Sequence, residues 1–226
     1  MNVYFISGLA ADSRVFQFIE MPEGFTKICI DWIEPQKQET LPDYALRLAE
    51  IIDTRKPFVL VGVSMGGMIA TEIAKRYSPQ AVLLISSVAD SRQLPGWYSL
   101  AYKLGIYKLV PPGWLKSISL AKRIFTTESS EAKRILVEVI RDSDPKFIRW
   151  AVEAILKWKN ETVPKPIWHI HGDRDGLIPV KNLNPTHIIR RGTHLAVINR
   201  TAELNAFIKE ALEAVRLSNP HAYPKY

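Results

Sequence analysis

Between an apolar run at 58–63 and a helical pattern at 65–77, the chain carries Gly62-Val63-Ser64-Met65-Gly66-Gly67. No other stretch restricts the fold as tightly. A strand passes straight into a helix, so the serine between them must sit on a sharp, strained turn. A side chain at Gly62 or Gly66 would collide with neighbouring backbone, so both flanks need glycine. The turn lifts the hydroxyl clear of the sheet and aims a helix N-terminus, with its free N–H groups, at developing negative charge. A glycine-rich strand-to-helix turn with an incidental serine shares the local pattern. The rest of the chain must decide between them.

Short apolar, β-branched runs recur at 3–7, 27–32, 58–63, 81–86, 167–171 and 187–190. Most are continuously apolar rather than alternating, which predicts strands covered on both faces. Thr40-Leu41-Pro42-Asp43 reads as a capping box opening a helix to about Arg55, with Leu48, Ile51 and Ile52 on its buried face. Further helices are predicted over 65–77 and 201–217. This alternation implies an α/β fold, a mostly parallel doubly wound sheet of about six strands. Cys29 falls on one of these strands, read as central, and is expected to be an inert buried thiol.

The alternation stops between residues 91 and 160, where no strand-like run occurs. Asp144-Pro145 is a helix start, followed at helical spacing by Phe147, Ala151, Ala154, Ile155 and Trp158. Residues 91–160 therefore read as a helical cap inserted into a core formed by 1–90 and 161–217, with 218–226 as a tail. The formal charge of +7 belongs to the insertion, where 13 basic side chains face 6 acidic ones; the two core segments together are neutral. From Ser91 to Thr127 there is no acidic residue. The basic face is a solvated surface, a site for an anionic or carrier-linked substrate, or a weak attraction to an anionic membrane. No nucleic-acid-binding fold or basic helix stripe accompanies it. One cysteine excludes an internal disulfide framework and a cysteine-based zinc site. The N-terminus lacks signal-peptide character, and the longest charge-free window, 57–71, is too short to span a bilayer. A cytoplasmic protein is expected.

A serine hydroxyl needs a general base, and the base needs an orienting carboxylate. The strand at 167–171 leads into His171-Gly172-Asp173-Arg174-Asp175-Gly176-Leu177-Ile178-Pro179, and the strand at 187–190 into Arg191-Gly192-Thr193-His194. Ser64, Asp175 and His194 thus all emerge at the C-terminal edge of one parallel sheet, where such sheets bind ligands. Their order, Ser then Asp then His, is the one the strand–turn–helix serine demands.

With these residues in view, the chain resembles α/β-hydrolase-fold enzymes over nearly all of 1–217. The matching motifs are GVSMGG, HGDRDGLIP and GTHLAV. The resemblance implies Ser64 as nucleophile, His194 as general base and Asp175 as acid, the last in preference to Asp173. It also makes Ile6-Ser7-Gly8-Leu9 the oxyanion turn, with backbone N–H groups of Leu9 and Met65 as donors, and it implies neither metal nor organic cofactor. The implied activity is hydrolysis of small carboxylic esters, possible thioesters included, through an acyl-enzyme. Three departures stand out: Ser7-Gly8 replaces the family's usual His-Gly, the antiparallel edge of the sheet is missing, and Met68 stands where some relatives carry an arginine for an anionic substrate.

Other readings remain open at this point. Asp90, after the fourth strand, is the alternative acid. The scaffold also supports C–C hydrolases and lyases, or a receptor with a slow triad. His169-x-His171-x-Asp173 resembles part of a two-metal string, but Arg174 stands where a further histidine is required. Without metal, His169 reads as a core strand residue and His171 as a turn residue bonded to backbone. Asp12 and Arg14 read as a local ion pair. The cap aromatics Trp97, Tyr98, Tyr102, Tyr107, Trp114, Phe125, Phe147, Trp150 and Trp158 would mostly pack the cap onto the sheet, and some would wall an apolar acyl pocket.

Overall fold

The computed structural model describes residues 1–105 and 130–218. Strands β1 (Asn2–Ile6), β2 (Thr26–Ile30), β3 (Phe58–Val63), β4 (Ala81–Ile85), β5 (Ile167–Gly172) and β6 (His187–Ile189) form one sheet in the order β2-β1-β3-β4-β5-β6. Every neighbouring pair is parallel. All residues of β3 and β4 are buried, which is why these strands are apolar without alternation.

Helices cover both faces. Tyr4, Leu60 and Leu84 point toward α1 (Leu41–Leu48) and α2 (Met65–Arg76), while Phe5, Val61 and Leu83 join a core with α7 (Thr201–Ser218). The chain winds outward from β1 in both directions, to β2 on one side and β3 on the other. The loops after β1 and β3 therefore part at a switch point, where a crevice opens at the strand ends.

Within 91–160 the described elements are all helical: a short turn at Ser91–Gln93, α3 (Gly96–Lys103), α4 (Ser130–Asp142) and α5 (Pro145–Lys157). Asp144 caps α5, accepting from the Lys146 N–H at 2.9 Å with Pro145 in the first turn. The return from α5 is pinned to the core. Trp158 Nε1 donates to buried Glu72 Oε1 at 2.7 Å, and the Asn160 amide donates to the Ala89 carbonyl. The core carries this helix through Phe147 and Trp150, whose rings lie against Tyr44 on α1. Tyr107, Trp114, Phe125 and residues 219–226 of the expected tail lie outside the described residues, whereas Ser218 ends α7. No helix among the described residues is long and apolar enough to cross a membrane.

Local readings need correction at three points. Thr40 caps α1 by accepting from the Asp43 N–H, but the helix ends at Leu48 and passes into a tight turn at Ala49–Ile51. That turn points Ile51 outward, 54% exposed, while Leu48 and Ile52 stay buried. Cys29 lies on β2, an edge strand rather than a central one, and is half-buried. His171 is the penultimate residue of β5, not a turn residue.

Candidate active site

The strand-to-helix turn holds Ser64 at φ 52° and ψ −120°, a region that residues with a side chain rarely occupy. Strain of this kind costs about 1–3 kcal/mol and persists only where the surroundings fix it. Here the Ser64 N–H donates to the Ile85 carbonyl at 3.0 Å, and the Ser64 carbonyl accepts from Ser87 Oγ at 2.6 Å and from the Gly67 N–H at 3.0 Å. A Cβ on Gly62 would collide with the Gly66 backbone, and one on Gly66 with the carbonyl oxygens of Ile6 and Ser7. Gly67 lies against the Ser87 side chain. Ile6 is the last residue of β1 and cannot swing aside without breaking the strand. Gly66→Ala is expected to cost about 3 kcal/mol, the upper end for overpacking. Urea unfolding would measure it, and a midpoint equal to wild type would contradict the close approach.

Three loops converge on this serine. His194 lies between β6 and α6 (Ala196–Asn199), with Nε2 2.9 Å from Ser64 Oγ and Nδ1 2.7 Å from Asp175 Oδ2. Asp175, on the loop after β5, uses Oδ1 to accept from the Leu177 and Ile178 N–H groups, both at 2.9 Å. Burial alone would raise its pKa. The charge of His194, hydrogen bonds from His171 and His194 and the Ile178 N–H outweigh that, and hold the carboxyl well below the usual carboxylate range. Because the carboxylate can only accept, His194 carries its proton on Nδ1 and presents a lone pair on Nε2 to the serine hydroxyl.

The competing carboxylates are placed elsewhere. Asp173 is exposed, and Asp90 is held by the Arg92 guanidinium and N–H. Asp12 and Arg14 pair as expected, and Arg14 also reaches Asp142 on α4 at 2.8 Å, tying the loop after β1 to that helix. The backbone bond expected of His171 is present, but sequence reasoning missed its contacts with Asp175 and His169. His171 Nε2 is 2.8 Å from the Ile178 carbonyl and 3.1 Å from Asp175 Oδ2, and its Nδ1 is 3.2 Å from His169 Nε2. The only hint in the chain is the four-residue spacing of His171 and Asp175 across the turn. Among the described residues, no group of three His, Cys, Asp or Glu side chains is arranged to hold a metal ion.

The loop after β1 is fixed close to Ser64. Ser7 Oγ donates to the Ala11 carbonyl at 3.0 Å, Trp32 Nε1 donates to the same oxygen at 2.8 Å, and the Gly8 carbonyl accepts from the Ala11 N–H. A Cβ on Gly8 would stand 3.3 Å from Ser64 Cβ. The N–H groups of Leu9 and of Met65, the first residue of α2, take no hydrogen bond among the described residues. Met68 is buried in the core beneath.

A cavity of about 380 Å³ opens over Ser64 and His194. Trp97 and Tyr98 of α3, Val139 and Ile140 of α4, and Ile148 and Val152 of α5 line it as well. Among the described residues no Asp, Glu, Lys or Arg side chain lines it. The phenol of Tyr98 is pushed up to about 12 by burial and by the charge of Asp175, so it remains protonated. Phe147, Trp150 and Trp158 pack inward instead. Lys103 is exposed at the end of α3; Lys108, Lys116 and Lys122 lie outside the described residues.

The sequence matches the model of the alpha/beta hydrolase family over residues 3–207. No curated protein sequence matches the chain. Among solved structures it is similar to a thermophilic esterase from Thermogutta terrifontis, at 17% identity and a TM-score of 0.75, covering 95% of this chain and 90% of that one. A putative lipase from Acinetobacter baumannii matches at 17% identity and 0.73, over 96% and 85%. An esterase from Exiguobacterium antarcticum matches at 16% and 0.73, over 96% and 92%. At these identities the likeness is one of fold.

Proposed function

We propose that this chain, which belongs to the alpha/beta hydrolase family, is a serine hydrolase that cleaves carboxylic esters with apolar acyl groups. The observation that carries the reading is the line from Ser64 Oγ through His194 to Asp175, at 2.9 and 2.7 Å. Ser64 Oγ attacks the ester carbonyl as its proton passes to His194 Nε2. The negative charge gathers on the former carbonyl oxygen, where the Leu9 and Met65 N–H groups are free to meet it. Each such donor contributes about 3 kcal/mol to the transition state. The imidazolium, balanced by Asp175, returns its proton to the leaving alcohol. Water then attacks the acyl-enzyme with His194 again as base, freeing the acid and Ser64. These steps use only groups of this chain and water.

The cavity supports the acyl preference. A carboxylate pushed against that apolar wall would lose hydration with no Lys or Arg side chain to meet it among the described residues. An anionic or carrier-linked portion of a substrate would therefore sit outside the cavity, toward the basic cap. Thioesters fit the same chemistry. A cytoplasmic setting belongs to this reading too.

A fluorophosphonate is expected to modify the peptide containing Ser64 and to stop turnover. Each further buried methylene contributes about 0.8 kcal/mol. Moving from p-nitrophenyl acetate to hexanoate should then raise kcat/KM by up to roughly 200-fold. The hemisuccinate ester should be a poorer substrate than butyrate. Label at another residue would remove Ser64 from the role, and a preference for acetate or hemisuccinate would overturn the apolar acyl assignment.

A further inference from the structure

His171 has no part in the scheme above, yet its side chain is fully buried and touches the carboxylate on which that scheme depends. Its Nε2 faces two groups that can only accept, the Ile178 carbonyl at 2.8 Å and Asp175 Oδ2 at 3.1 Å. That nitrogen must therefore carry a hydrogen. With one ring proton placed there, Nδ1 is bare and accepts from His169 Nε2–H, 3.2 Å away. His169 is able to play this part as an uncharged ring. Burial and the neighbouring His171 lower its pKa to about 3, against a backbone hydrogen bond at Ser87 that favours the charged form. The backbone N–H of His169 is fixed in turn by Thr186 Oγ1 at 2.9 Å. The polar chain thus runs from β5 into Asp175, and from there through His194 to Ser64.

Both histidines meet Asp175 on the same oxygen. His194 Nδ1 lies 2.7 Å from Oδ2 and His171 Nε2 3.1 Å from it, while Oδ1 is occupied by two backbone N–H groups. We infer that His171 is a positioning residue of the site, whose Nε2–H fixes Asp175 Oδ2 beneath His194 and withdraws part of that oxygen's basicity. A carboxylate with one strong acceptor position shared between two donors stabilises the His194 imidazolium less than an unshared one would. Removing the His171 bond should therefore strengthen the hold of Asp175 on the His194 imidazolium. Among the described residues, the ionisable groups facing Asp175 are His194, His171 with His169 behind it on β5, and Tyr98 of α3, which stays a phenol.

The decisive comparison is His171→Met, which keeps bulk but has no N–H, against His171→Gln, whose amide nitrogen can donate from near the Nε2 position. The pKa of His194 is read from its ring resonances by NMR in the full chain, and kinetics rest on the proposed ester hydrolysis. The expected result for His171→Met is a His194 pKa raised by several tenths to about one unit, since loss of one charge-assisted hydrogen bond is worth on the order of one unit. The acid limb of kcat/KM moves up with it. At neutral pH kcat falls roughly tenfold with KM within twofold, the lower end of what losing an outer partner costs a working histidine at metal sites. His171→Gln restores both. A role in packing alone would lower the melting temperature and leave His194 titrating as in wild type, and that outcome overturns the inference. If His171→Met does not fold, the wild-type protein decides: the ring resonances of His171 must report an Nε2–H tautomer, and an Nδ1–H tautomer overturns the inference. A wild-type protein that turns over no ester would refute the hydrolase reading, while the titration would still test His171.

Discussion

Ser64→Ala is expected to lower kcat/KM for a p-nitrophenyl ester by about a million-fold and to leave the fold standing. The size follows from the role, because without the nucleophile only the oxyanion donors and binding remain to assist water. Stability should barely change. The Ser64 backbone is held by Ile85, Ser87 and Gly67, and among the described residues its hydroxyl makes one bond, to His194, that alanine gives up. A bond of that kind contributes about 0.5–1.5 kcal/mol. Alanine also keeps the Cβ, so the strain at φ 52° is unchanged. Ser64→Gly separates the two functions of this position. It removes the hydroxyl and relieves conformational strain worth about 1–3 kcal/mol. It should therefore be as inactive as the alanine variant but more stable in urea. An alanine variant retaining even a hundredth of wild-type turnover would take Ser64 out of the mechanism. A glycine variant less stable than alanine would show that the turn stores no strain.

Much of this arrangement could be read from the chain because strands and turns act locally. A strand covered on both faces has to be apolar throughout, so β3 and β4 announce themselves without any neighbour being known. The turn at Ser64 is similarly local, since steric conflict between residues 62, 66 and the backbone leaves glycine as the one solution. Strand order is different. Nothing in residues 26–30 states that β2 ends the sheet, so Cys29 was expected in a central strand and lies at the edge. The end of α1 depends on one tight turn, which reverses the face that Ile51 presents. Helical spacing within the cap identifies buried faces but not what buries them. Phe147 and Trp150 thus pack on Tyr44, while Trp97 and Tyr98 line the cavity. His171 was legible as buried chemistry only after the loop behind it closed and brought Asp175 back over the strand it had left.

Asp175→Asn is expected to reduce kcat by about ten-thousand-fold, the cost of leaving a catalytic histidine in the wrong tautomer. The amide oxygen would take over the two backbone N–H groups now on Oδ1, because both are fixed in the loop at 2.9 Å. Its NH2 group would then occupy the place of Oδ2 and point at His194 Nδ1. Donor would meet donor unless His194 moved its proton to Nε2, and in that form it has no lone pair for Ser64. The same NH2 would face the Nε2–H of His171, which retains only the Ile178 carbonyl. Asp90→Asn should lose a few-fold at most, since that carboxylate is held by Arg92 in the turn that follows β4. The pair of variants therefore assigns the acid, and the reverse ranking would move the role to Asp90. Stability adds a check with a definite sign. Asp175 is depressed in the folded state, so its ionised form stabilises the fold fully above the unfolded carboxylate range of about pH 4. That contribution is lost as pH falls toward the folded value. Wild type should accordingly exceed Asp175→Asn in urea midpoint at neutral pH, with the gap closing below about pH 4. A gap that widened on acidification would mean that Asp175 is not the ionised, fourfold-bonded group that the geometry requires.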